Sequence, residues 1–211
     1  MSDIQIIGIS GYAGSGKDTL ANCFEQYGYK RIAFADKVKE LAVRLNPELQ
    51  KRIDNAEELE DIKRTDPDVR RWLQEVGVTA REVLGDDVWV RAALDGLGDG
   101  KYVISDVRFK NEAEMLRQRG ACLIRINRPG VGPANNHISE VDLQDYRHWH
   151  RVINNDRDIA SLRVAATIIA TQLEPQLLVR SPATQLDPQL PACSLDPVEM
   201  PPEPSALEIG V

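Results

Sequence analysis

Cysteine is scarce in this chain: its 211 residues include three, Cys23, Cys122 and Cys193, widely spaced and odd in number. That excludes a disulfide framework and a cysteine-built zinc cluster. Cys23 and Cys122 sit in apolar patterns and read as buried thiols of a protein in a reducing, cytoplasmic setting. Long hydrophobic runs are missing as well, with no stretch approaching the roughly 20 apolar residues that cross a bilayer, and no N-terminal signal segment is read. Positive charge is in deficit, 26 Lys and Arg against 33 Asp and Glu for a net −7, with a sequence pI near 5.1. This argues against a protein that coats nucleic acid. His148 and His150 flank Trp149 without metal-ligand spacing, so packing or solvent contact is their expected role.

What the chain does have is Gly11-Tyr-Ala-Gly-Ser-Gly-Lys17-Asp-Thr19, between an apolar run (Ile4 to Ile9) and a helical pattern beginning at Leu20. Strand, glycine-rich loop and helix form the context of a phosphate-binding P-loop. Glycines let backbone N–H groups turn inward as an anion nest, and the following helix adds its positive N-terminal end. Lys17 then reaches the outer phosphates of a nucleoside triphosphate as a mobile point charge. The usual Ser or Thr after the lysine, which ligates Mg²⁺, is here Asp18. A carboxylate is itself a hard-oxygen donor for Mg²⁺, directly or through water. Thr19 lies about 100° further round the helix and suits the α-phosphate better than the metal.

Taken in order, Tyr29 to Ala35 reads as a second strand ending at Asp36, and Lys37 to Leu45 as a helix stopped by Asn46-Pro47. Residues 48–66 read as an exposed, mobile helical excursion. A helix from Pro67 to about Val76, a turn at Gly77 and further helix to Leu94 come next, with Trp72 and Trp89 read as core or, for one of them, as the wall of a base pocket. Tyr102 to Asp106 is a buried strand ending in a carboxylate, Lys110 to Arg119 a crossover helix, and Cys122 to Ile126 another strand. Asn127 to Glu140 is a polar loop, Arg151 to Asn154 a last strand, and Asp158 caps a helix running to about Leu173. Such alternation predicts an α/β fold with a doubly wound parallel sheet, whose ligands sit outside the carboxyl ends of the strands. The expected organisation is a P-loop domain over 1–173, with an acceptor-binding helical region at 37–95 and a lid at 127–145. From Glu174 to the C-terminus eight residues are proline and acids outnumber bases six to one. That composition predicts a disordered acidic tail.

No Asn-Lys-x-Asp guanine motif is present, and the chain is short for a motor ATPase, which leaves the plan of a small kinase. Transfer between two phosphates relies on charge neutralisation and in-line positioning, work suited to bidentate guanidinium groups. Arg108 is the first candidate, followed by Arg81 and Arg128, with Arg70 and Arg71 nearby. Arg125, inside a strand, reads as an outward-facing charge. Asp106 is either a Walker-B-like acid holding Mg²⁺ through water or a helix-capping aspartate. A phosphate acceptor needs no general base; a hydroxyl acceptor would make Asp36 the candidate base. Three readings stand side by side: a nucleotide kinase; a P-loop kinase for another small molecule, such as dephospho-coenzyme A or phosphomevalonate; and an ATP-binding switch that signals through its tail.

Several segments together resemble a known family. Gly-x-x-x-Ser-Gly-Lys-Asp-Thr19, Phe34-Ala-Asp-Lys-Val-Lys39, Arg70-x-x-Leu-Gln-x-x-Gly77, Ser105-Asp-Val-Arg-Phe-x-Asn-Glu112, His137-x-Ser-Glu140 and Val152-Ile-x-Asn-Asp156 recur in this order in the bacteriophage deoxynucleoside monophosphate kinases. The resemblance covers about residues 4–173. It implies a three-layer, adenylate-kinase-like P-loop fold, ATP with Mg²⁺ as donor, a deoxynucleoside 5′-monophosphate as acceptor, and, for a phage-encoded chain, the host cytoplasm. It places donor phosphates on Gly14, Ser15, Gly16, Lys17, Asp18 and Thr19, and the donor adenine near Asn155 and Asp156. Acceptor contacts fall on Lys37, Arg70, Gln74 and Arg81, and on the lid at Arg128, His137 and Glu140; the assembly to look for is a homodimer. The sequence departs from the family at Gly77-Val78-Thr79, one residue longer than the usual Gly-Thr, and at Arg157, where Gly is usual. Base selectivity therefore stays open.

Overall fold

The computed structural model describes residues 4–53, 55–133 and 138–174. The expected tail, beyond Glu174, and the lid residue His137 fall outside these. The strands are β1 (Ile4–Ser10), β2 (Tyr29–Ile32), β3 (Gly100–Ile104), β4 (Cys122–Asn127) and β5 (Arg151–Asn154). The helices are α1 (Lys17–Glu25), α2 (Phe34–Arg44), α3 (Pro47–Gln50), α4 (Ala56–Thr65), α5 (Pro67–Leu84), α6 (Val88–Leu94), α7 (Lys110–Gln118), α8 (Ile138–Val141) and α9 (Ile159–Leu173).

The strands form one parallel sheet in the order β2-β3-β1-β4-β5. β1 lies at its centre because its residues are apolar toward both faces: Ile7 and Ile9 are fully buried on one, Ile6 on the other. Burial of such a side chain contributes about 1.5–3 kcal/mol. On the Ile7 and Ile9 side, α1 and α9 pack together over Leu20, Phe24, Leu162 and Ala166. On the Ile6 side lie α2, α5, α6 and α7, whose contacts include Phe34, Leu73, Trp89 and Leu116. The result is the three-layer α/β architecture expected for a P-loop kinase. The first crossover from β1 leads to β2 on one flank, while β4 and β5 lie on the other. The loop after β1 therefore stands where the strand order switches direction, the usual ligand crevice of an open α/β sheet.

Three local expectations are corrected. β2 ends at Ile32, and α2 starts at Phe34 rather than Lys37. The carboxylate of Asp106, at the end of β3, accepts the N–H groups of Phe34 (3.0 Å) and Ala35 (2.9 Å) and so satisfies the first donors of α2. Asp36 thus belongs to the first turn of α2, where its Oδ2 accepts the Ala33 N–H at 3.1 Å. Secondly, no turn interrupts α5 at Gly77: the helix runs 18 residues, capped by Asp66. Tertiary contacts override glycine's weak helix preference here, since α5 packs against α2, α4 and α6. Thirdly, residues 48–66 hold α3 and α4, and Leu49 and Leu59 are buried in the shared core.

Candidate functional site

The loop from Gly11 to Gly16 turns on a Ser15 N–H to Tyr12 carbonyl bond of 3.1 Å. Glycine is required at Gly11, where a Cβ would stand 2.5 Å from both the Ile126 carbonyl oxygen and Ser15 Oγ. It is required again at Gly16, with φ of +102° and a prospective Cβ only 2.6 Å from Asn155 Nδ2. Asn155 braces the loop from the end of β5, donating its side-chain amide to the Ser15 carbonyl at 2.9 Å. Ser15 Oγ is buried and has no hydrogen-bond partner among the described residues.

Lys17 is the first residue of α1, and its Nζ donates to the Tyr12 carbonyl at 2.8 Å, folded back across the loop. Burial pushes its pKa down, and the cations Arg108 and Arg125 push the same way against Asp18 and Glu140. An arriving polyphosphate would relieve this strain on the charged form. Arg128 reaches the other side of the loop, its Nη1 donating to the Gly14 carbonyl at 3.3 Å.

The hard-oxygen groups gather beside α1. Asp18 Oδ1 accepts from Arg31 at 2.5 Å and from Ser105 Oγ at 3.1 Å. Burial raises the pKa of Asp106, while its two helix N–H donors oppose the rise. Thr19 is half-buried one residue on; Asp156, beyond Asn155, is exposed and 3.9 Å from Arg157. Among the described residues no group of three or more acidic, His or Cys side chains is placed to hold a metal ion by itself.

On the other side of the loop opens a cleft of about 1320 Å³, walled by α2, α5, α7 and α8. Arg70, Gln74 and Arg81 project into it from one face of α5, being four and seven residues apart, with Arg108, Phe109 and Glu140 opposite. Arg81 is anchored at three points. Its Nη2 lies 2.7 Å from Glu112 Oε1, its Nη1 donates to the Asp86 carbonyl at 3.2 Å, and its guanidinium sits 4.3 Å from the Phe109 ring centroid. Arg108 Nη1 pairs with Glu140 at 3.0 Å. Both residues also line a small recess with Ser10, Gly11, Tyr12 and Arg125, so they stand between the P-loop and the cleft.

Lys37 is not brought to this cleft; it pairs with Glu40 on the exposed side of α2. Arg125, expected to face outward, is half-buried: it donates to Ser10 Oγ at 3.3 Å and lies 4.8 Å from the Tyr12 ring centroid. Its register carried the signal, since a cation at the carboxyl end of a strand beside the P-loop strand points to the ligand rim. Arg31, Ser105 and Glu112 are further site residues that sequence reasoning passed over. Ser105 and Glu112 had a sign, as the two ends of the Ser105-Asp-Val-Arg-Phe-x-Asn-Glu112 motif, and Glu112 also as an acid in the first turn of α7 four residues after Arg108.

A family model described as deoxynucleotide monophosphate kinase matches residues 48–165, more than half of the chain. A protein of Acanthamoeba polyphaga mimivirus described as "Putative deoxynucleotide monophosphate kinase" is 31% identical over 182 residues, 73% of this chain and 90% of the viral one. Among solved structures, a dephospho-CoA kinase from Campylobacter jejuni is 15% identical with a TM-score of 0.42, covering 83% of this chain and 99% of that one. A gluconokinase from Sinorhizobium meliloti is 14% identical with the same TM-score, covering 86% and 99%. These last two are distant likenesses of backbone only.

Proposed function

The chain belongs to the deoxynucleotide monophosphate kinase family and is a kinase acting on nucleotides; we propose that it transfers the γ-phosphoryl group of ATP to a deoxynucleoside 5′-monophosphate, giving ADP and the diphosphate. One observation carries this reading above the others. Arg70, Gln74, Arg81 and Arg108 line a single cleft that meets the P-loop rim at Arg108. Two anion-binding surfaces facing one junction suit a reaction between two phosphates.

In this reading the loop amides from Gly14 to Thr19 cradle the donor phosphates, and Asn155 with Asp156 borders the donor nucleoside. Lys17 leaves the Tyr12 carbonyl for the β- and γ-phosphates. Arg81 holds the acceptor phosphate as a preoriented fork, since Glu112 and Phe109 already fix its plane. Arg70 and Gln74 engage the rest of the acceptor. Arg108, released from Glu140, neutralises the group in transit, and Arg128 and Arg125 close in from the lid side and from β4. The acceptor's own phosphate oxygen attacks in line, so no base removes a proton. That agrees with Asp36, whose carboxylate is engaged by the Ala33 N–H and by Lys39.

The donor set beside α1 fits magnesium brought in with ATP: a carboxylate on Asp18 and a hydroxyl on Ser105 supply hard oxygens, the phosphates the remainder. Asp106, with both oxygens bonded to backbone N–H groups, suits a water-bridged place. Bound there, magnesium would neutralise charge on the phosphate oxygens. The test is ADP release from ATP over a panel of deoxynucleoside and ribonucleoside monophosphates, with dephospho-coenzyme A and phosphomevalonate included. Stimulation by deoxynucleoside monophosphates supports the proposal; stimulation only by one of the other acceptors rejects it.

A further inference from the structure

Gly77 sits in the middle of α5, where glycine is the poorest helix former except proline, because ordering a residue without Cβ loses the most backbone entropy. Its own environment gives no reason for it. Its φ is not positive. Among the described residues, a Cβ built there would meet a single neighbouring heavy atom within 4 Å, Val38 Cγ1 at 3.5 Å, an ordinary van der Waals contact. Neither backbone conformation nor packing among the described residues therefore calls for glycine.

The open direction is the cleft, since Gly77 and Val38 both line it. Gln74 and Arg81, three residues before and four after, share that face of the helix. The backbone at this point is also held firmly: Trp89, 3% exposed, donates its Nε1–H to the Gly77 carbonyl at 3.0 Å. A rigid helix surface without a side chain, one turn from a guanidinium clamp, is a platform for a flat ring. A planar heterocycle can approach a bare backbone closely, and any Cβ would hold it away.

We propose that Gly77 is the floor of the acceptor's nucleobase subsite, the base lying against α5 at this residue with its phosphate directed toward Arg81 and Arg108. This rests on the reading of the cleft as the acceptor site and adds a residue that determines what fits there. The bare floor admits the larger, two-ring bases, so a side chain at this position penalises purine acceptors more than pyrimidine ones.

The variants Gly77→Ala and Gly77→Leu test this in the full-length protein. Both are better helix formers than glycine, and Gly77→Ala should melt about 2–4 °C higher than the parent. KM for purine deoxynucleoside monophosphates should rise about tenfold or more in Gly77→Leu, with a smaller rise in Gly77→Ala. KM for ATP should stay within about twofold, because the donor lies across the loop. An acceptor KM unchanged in both variants overturns the proposal, as does a Gly77→Ala protein that melts lower than the parent, which would mean that packing requires the glycine. If Gly77→Leu fails to fold, the acceptor KM of Gly77→Ala decides. A parent enzyme that turns over no deoxynucleoside monophosphate would instead defeat the functional reading itself, so the two failures are distinguishable.

Discussion

The carboxylate of Glu112, with 2% of its side chain exposed, lies 2.7 Å from the guanidinium of Arg81. Its second oxygen accepts the N–H groups of Arg108 (2.8 Å) and Phe109 (3.1 Å). One buried acid thus holds Arg81 and the turn carrying Arg108 in a fixed relation. Burial pushes its pKa up, and these hydrogen bonds and the Arg81 charge pull against that rise. Glu112→Gln keeps an acceptor for the two N–H groups but removes the ion pair. It should raise KM for the monophosphate about tenfold and leave KM for ATP nearly unchanged. Glu112→Ala should cost about 3–5 kcal/mol in urea unfolding, the loss for breaking a buried pair from one side. Equal effects on the two KM values would contradict the positioning role.

Among the described residues Lys17 Nζ makes one hydrogen bond, to the Tyr12 carbonyl, and burial disfavours its charge. Lys17→Met should therefore leave the melting temperature nearly unchanged. Its kcat should fall about 10²-fold or more, as expected for loss of a cation that stabilises the transferring group. Steady-state kinetics and a thermal melt on the same preparation check both halves.

Asp18 and Arg31 form an exposed ion pair, with 68% and 40% of their side chains accessible. Such pairs contribute little to stability, so Asp18→Asn should unfold at close to the parent's denaturant midpoint. The magnesium concentration for half-maximal rate should rise about tenfold if the carboxylate helps to hold the metal with ATP. An unaltered magnesium titration would remove Asp18 from the metal's surroundings.

His150 gives a pH dependence. Its backbone N–H donates to the Leu123 carbonyl, and its ring Nδ1 accepts the Leu123 N–H at 2.9 Å, so the ring's share of this tie between β4 and the start of β5 exists only when Nδ1 is unprotonated. Burial lowers its pKa below the ordinary 6.5, with Arg151 and Arg117 acting the same way. The unfolded chain then takes up the proton first as pH falls. The stability linked to this ring is fully present above about pH 6.5 and is lost as pH drops through the lowered value. Between about pH 7.5 and 5.5 the parent should lose more unfolding free energy than His150→Asn, whose amide oxygen still accepts but does not titrate. Parallel losses in the two proteins would assign the pH dependence to other groups.

The sheet was legible in the sequence because its signals are local. β1 is an unbroken apolar run, glycines follow it, and each later strand is bounded by a helical pattern. What sequence reading missed came from partners distant in the chain. The start of α2 depends on Asp106, 71 and 72 residues away, and the continuity of α5 through Gly77 depends on helices packed around it. In the site, Arg81 and Arg108 stood out as cations in suggestive places. Arg125 looked peripheral because a strand residue's face is decided by its neighbours: Ser10 and Tyr12, on the adjacent strand and loop, hold it beside the glycine-rich loop. Lys37 shows the reverse: its neighbour Glu40 on α2 pairs with it at the surface, outside the cleft.

In the proposed reaction a triphosphate and a monophosphate are gripped from opposite sides of one junction. Calorimetric binding of a bisubstrate analogue, adenosine joined to a deoxynucleoside through five phosphates, tests it directly. The analogue should bind about 100-fold or more tightly than ATP alone, because one molecule engages both surfaces, and Arg81→Ala should abolish the advantage without weakening ATP. An analogue that binds no better than ATP would contradict the account.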